Sequence, residues 1–417
     1  LFRIMPATVL LIGTMDTKGV EFAYVRDLLR QWGHEVLVLD AGVAGEPKLA
    51  ANVTAAEVAQ AGGASLEELR ALGDRGRAME VMTAGVRRIV PGMFARGAFA
   101  GIMGLGGSGG TTIATAAMRE LPVGVPKLVV STVASGDTRA YVGMKDVTMM
   151  FSIVDIAGLN PISRRILANG AAAISGMLGR EVPPAEDRPL LAATMFGVTT
   201  PCVDRMRERF EAQGYQVLVF HATGSGGQAM EALIDAGFIA GVADMTTTEW
   251  CDEVVGGVLS AGPDRLSAAA RAGLPQVVSC GALDMVNFGP FDTVPERFRG
   301  RTLYRHNASV TLMRTTPEEC VEIAERIAGK LNEAKGPTTL LLPLRGVSAL
   351  DREGQPFHDP AASAALFETL VARVRPPVRV VELDLHINDP AFADAAAEHL
   401  LDLLREQESL TITTPVR

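Results

Sequence analysis

Short apolar runs alternate along this chain with stretches whose apolar residues recur every three or four positions. Ala7–Ile12 is a continuous apolar run of buried-strand type. After a polar turn, Phe22, Val25, Leu28, Leu29 and Trp32 recur at helical spacing, and Gly33 stops the helix. Val36–Leu39 is a second strand, ending at Asp40, and Phe99–Met103 opens a third unit with a helix after its glycine-rich turn. Lys127–Val130 supplies the next strand. Near-continuous apolar strands separated by helices predict a parallel sheet covered on both faces, hence an α/β fold.

Around Leu178–Leu190 the text becomes charged and carries three prolines, which marks a linker. The segment Gln31–Asp40 (QWGHEVLVLD) then finds an echo in Ala212–His221 (AQGYQVLVFH), and FAGI at Phe99 in FIAG at Phe238. Two Rossmann-like domains with mainly parallel sheets are therefore expected, 1–183 and 184–417, related by duplication or by shared fold grammar. If they face one another, their strand-end loops would surround a shared cleft. The sequence after Pro343, which holds a helix, the stretch Val378–Pro390 and a final helix, is expected to complete the second sheet.

Composition narrows the function. A net charge of −9 argues against a duplex-binding surface but leaves small anions open. No apolar run is long enough for a membrane helix, and Ala7–Gly13 lacks a small-residue cleavage site, so a cytoplasmic protein is expected. Four widely spaced cysteines fit buried thiols in a reducing compartment. Glycine is the outlier: 43 residues in 417, in excess of turns alone.

The densest glycine cluster is Gly104-Leu-Gly106-Gly107-Ser108-Gly109-Gly110-Thr111-Thr112, between a predicted strand and helix. Backbone N–H groups can converge there on an anion, helped by Ser108, Thr111 and the positive end of the helix. A nicotinamide fold wants an acid ending the next strand, and this one ends Val130-Ser131-Thr132. No Gly-Lys-Ser/Thr closes a P-loop either. On the same sheet edge, Gly13-Thr14-Met-Asp16-Thr17-Lys18 offers hydroxyls, a cation and a carboxylate able to hold Mg²⁺. Asp40 sits where a ribose-binding acid often lies, and Asp137 joins Asp16 and Asp40 as an alternative metal ligand. In the second half, Gly224–Gly227 echoes the glycine cluster in shorter form. Glu249 and Asp252, three residues apart, would share one helix face as general acid and base.

The blocks MDTKGVEFAYVRDLL, GLGGSGGTT, STVASGDT, MTTTEW and HINDPAFA, among others, resemble the ATP-binding domain family typified by the N-terminal half of the plant tobamovirus-resistance protein. The resemblance runs over essentially the whole chain. It implies two Rossmann-like subdomains, ATP binding and homodimerisation.

Three functions fit these residues. One is a nucleotide-dependent enzyme acting on an unknown small molecule, its phosphates held by the glycine-rich loops at an interdomain cleft. Another is a regulatory or scaffold module that binds ATP without consuming it. The third is an NAD(P)-dependent oxidoreductase, which the missing strand-end acid disfavours.

Overall fold

A computed structural model describes residues 7–178 and 187–413. The chain divides into two compact units, Leu1–Pro184 and Ala185–Arg417. The proline-rich stretch expected as a linker falls largely on 179–186, outside the described residues.

In the first unit, strands β1 (Thr8–Gly13), β2 (Glu35–Asp40), β3 (Gly101–Gly106), β4 (Lys127–Ser131) and β5 (Thr148–Phe151) form one parallel sheet in the order β2-β1-β3-β4-β5. Alternation along β1 sends Leu10 and Ile12 to one face and Val9 and Leu11 to the other, all fully buried. The first face packs under helices Arg75–Ala95 and Ser108–Arg119, and the second under Met15–Gln31 and Pro161–Leu178. Helices on both faces explain why these strands read as apolar runs.

The second unit contains β6 (Leu190–Met195), β7 (Gln216–His221), β8 (Ile239–Thr246), β9 (Gln276–Gly281), β10 (Met285–Phe288), β11 (Leu303–Arg305), β12 (Thr311–Arg314), β13 (Thr338–Pro343) and β14 (Arg379–Leu383). Six of them form a parallel sheet, β14-β13-β9-β8-β6-β7. Read from the β7 edge and counted along the chain, this is second-first-third-fourth-fifth-sixth, the first unit's order with one strand added. The remaining three pair antiparallel as β10-β12-β11. Strand β14, from the text after Pro343, completes the second sheet beside β13, as the sequence suggested.

All four cysteines are buried free thiols. Among the described residues no helix is long and apolar enough to cross a membrane.

Candidate functional site

In the first unit, β2 lies on one side of β1 and β3 on the other, so the helices following β1 and β3 depart to opposite faces. Such a reversal opens a crevice at the carboxyl ends of those strands. A cavity of about 530 Å³ lies there, lined by Thr14, Asp16, Thr17 and Lys18 after β1 and by Gly106–Gly110 after β3. Val43, Ala44, Ala78, Met79, Met82 and Ile113 give it an apolar wall. All its lining residues belong to the first unit.

The glycine cluster is less a loop than a junction. Gly104 and Gly106 belong to β3, Gly107 caps the helix, and Ser108–Gly110 form its first turn. A Cβ on Gly104 would come within 2.5 Å of the Ala114 methyl, so this glycine lets helix and strand pack closely. Gly107 has no side chain to cap the helix, which leaves the first-turn amides of Ser108, Gly109 and Gly110 without a side-chain cap, on residues that line the cavity. The structure turns Thr111 away from its expected role. It is fully buried, its hydroxyl donating to the Gly107 carbonyl and meeting the Ser131 hydroxyl at 2.7 Å.

The acids near the cavity are mostly committed to the backbone. Asp16 accepts from Thr17 N on one oxygen and from Ala44 N and Gly45 N, at 2.8 and 3.1 Å, on the other. Asp40 is buried and accepts from Met15 N and Gly42 N, both at 2.8 Å, which fixes the start of the first helix. Burial raises the Asp40 carboxyl above its ordinary value against the pull of those two amides. Both amides fall on Oδ1 of this strand-end acid. Gly13 packs under the Phe22 ring, and neither it nor Asp40 lines the cavity. Asp137 is exposed and forked onto Arg139, which brings its carboxyl down to about 2, and it too is absent from the lining. Among the described residues no group of three or more His, Cys, Asp or Glu could hold a metal ion.

Lys18 reaches the cavity while donating to the Ile156 carbonyl. Asp155, exposed, lines the same space. Arg75 completes the ring and was missed in the sequence. It opens the helix Arg75–Ala95, whose N-cap Asp74 accepts from Gly76 N and Arg77 N. Its Nη2 stands 3.8 Å from the place a Gly109 Cβ would occupy. The sequence signal was the cap, hidden in the charged run Asp74-Arg-Gly-Arg77.

The second unit's polar loops do not form a matching site. Gly224–Gly227 follows that unit's second strand, whereas the first unit's cluster follows the third. The topological counterpart of Gly106–Gly110 is Thr246-Thr-Thr248-Glu249, and there the crevice is closed. Thr199 and Thr246 hydroxyls meet at 2.8 Å, Thr246 N donates to the Thr194 hydroxyl at 2.9 Å, and all three threonines are fully buried. Glu249 is buried and accepts from Gly224 N and Gly227 N on one oxygen, at 2.7 and 3.1 Å. Its other oxygen accepts from Arg265 Nε at 2.6 Å. Arg265, also buried, forks onto Asp244. Asp252 is buried against Asn287, accepting from its backbone N–H and side-chain amide at 2.8 and 2.7 Å. Both acids are buried and hydrogen-bonded within the second unit, so the expected acid–base pair is internal to the fold.

Two family models match the chain. The N-terminal domain of an uncharacterised protein family, UPF0261, covers residues 7–183, and its C-terminal domain covers 188–404. The chain is 54% identical over 404 residues to a UPF0261 protein of Clostridium tetani, spanning 96% of this chain and all of that one. It is 50% identical over 394 residues to one of Rhizobium meliloti, spanning 94% and 98%. It is also 46% identical over 312 residues to the ToMV resistance protein Tm-1(GCR237) of Solanum lycopersicum, which covers 73% of this chain and 41% of the tomato protein.

Proposed function

The chain belongs to the uncharacterised protein family UPF0261, and from that premise we propose that its first unit binds ATP in the crevice between β1 and β3. The observation that carries this is the uncapped first turn at Ser108–Gly110, opening into a cavity that also holds Lys18 and Arg75. Free amides at a helix start and its partial positive charge suit a phosphate. The apolar wall of Val43, Met79 and Met82 suits a purine face. Asp40 is buried and does not line the cavity, so it is not placed to take a ribose hydroxyl there, which weighs against a dinucleotide. A magnesium ion bound with the phosphates would draw on Asp155, because both oxygens of Asp16 already accept from the backbone.

Binding without turnover is the reading favoured within this proposal. The two acids that would have run the chemistry, Glu249 and Asp252, are buried and hydrogen-bonded inside the second unit. Thermal unfolding of the purified chain with ATP, ADP and NAD tests the site: ATP should raise Tm in a saturable way and NAD should not. No shift with any nucleotide, or equal shifts with ATP and NAD, would overturn it. Chromatography of the recovered nucleotide then distinguishes storage from cleavage.

A further inference from the structure

We propose that Arg75 is the specificity-determining cation of this crevice, the residue that makes it select a polyphosphate over a monophosphate. This rests on the nucleotide reading and deepens it.

Four formally charged side chains line the cavity: Lys18 and Arg75 against Asp16 and Asp155. Their sum is zero with Arg75 and −1 without it. The Lys18 ammonium already donates to the Ile156 carbonyl, so its capacity is shared with the protein. Among the described residues, Arg75 has neither a hydrogen bond nor an ion pair, although it stands beside the Gly109 backbone. It is also exposed, and lines a site whose amides come from the first helical turn.

These placements divide the labour. The amides of Ser108–Gly110 and the helix end supply only about half a unit of positive charge, enough to seat one phosphate. A second and third phosphate add negative charge beside Asp16 and Asp155, and need a full countercharge to be bound. A guanidinium forks onto phosphate oxygens through two parallel N–H donors, which an ammonium cannot reproduce. Asp74 holds the start of the Arg75 helix in place, so the side chain projects from a fixed backbone.

The test is calorimetric titration of the full chain with ATP, ADP, AMP and inorganic triphosphate, for the wild type, Arg75→Ala and Arg75→Lys. Arg75→Ala should weaken ATP and triphosphate about tenfold or more while changing AMP little, so that the preference for ATP over AMP collapses. Arg75→Lys should recover only part of it. Melting without ligand should be the same in all three, because the side chain has no partner to lose. Equal ATP affinity in wild type and Arg75→Ala would overturn the assignment of Arg75 and leave the nucleotide site standing. Equal weakening of ATP and AMP would also overturn it, reducing Arg75 to a general contact. A wild type that binds none of the four would overturn the nucleotide site itself.

Discussion

The helices that begin at Ser108 and Ser225 both have a glycine N-cap shortly after a strand, and they end up opposite in character. At Ser108 the first-turn amides open into a cavity. At Ser225 the amides of Gly224 and Gly227 are closed by the Glu249 carboxylate, which arrives from the turn after β8. The second cluster is an anion site whose anion belongs to the protein, with Arg265 as countercharge. Glycine density therefore marks where backbone amides converge. It does not say whether a ligand or a distant side chain meets them.

The largest consequence falls on the filled site. Glu249→Ala removes the acceptor of two buried amides and one partner of a fully buried guanidinium. Loss of one member of such a pair costs about 3–5 kcal/mol. Urea denaturation should show that loss without change in nucleotide affinity per folded molecule, and a near-native midpoint would sink the self-occupied reading.

The open site responds in the reverse way. Gly107 is extended, and a Cβ there meets only the Thr132 hydroxyl at an ordinary 3.6 Å. Gly107→Val should fold with Tm within a few degrees of wild type yet lose most ATP-induced stabilisation by crowding the amides. Full ATP protection in that variant would break the comparison.

A third test is a pH slope. Burial lifts the Asp252 carboxyl to about 7, against an ordinary value of 3.8. Because the folded pKa is raised, the folded state holds the proton over that interval and the unfolded state does not. Stability from this residue is therefore full below about pH 4 and declines as pH rises towards 7. Asp252→Asn should flatten that segment of the stability–pH curve, and an unchanged slope would refute the assignment.

What the sequence revealed follows from what each signal encodes. Strands buried on both faces announced themselves as apolar runs. The strand β5 went unread because it is a half-exposed edge. The β10-β12-β11 sheet went unread because its strands are only three or four residues long. The Thr14–Lys18 and Gly106–Gly110 loops were placed on one edge correctly, since parallel topology dictates it. The errors were tertiary. Nothing local tells Glu249 from an exposed first-turn acid, or Thr111 facing inward from Thr111 facing a ligand.

The pair Gly256-Gly257 serves the fold. Gly256 ends its helix in the left-handed conformation, and a Cβ on Gly257 would strike the Asp252 carboxylate.

The segment Val43–Gly45 is clamped from both sides. Asp16 takes the N–H groups of Ala44 and Gly45, while Arg70 donates to the carbonyls of Val43 and Gly45 at 3.0 and 2.8 Å. One wall of the cavity is thus rigid before anything enters it. A guest would meet a preformed mould there, and little of its binding energy would be diverted to ordering that wall. The crevice then has the economy of a lock, and discrimination among guests would lie in fit and charge, not in closure around them.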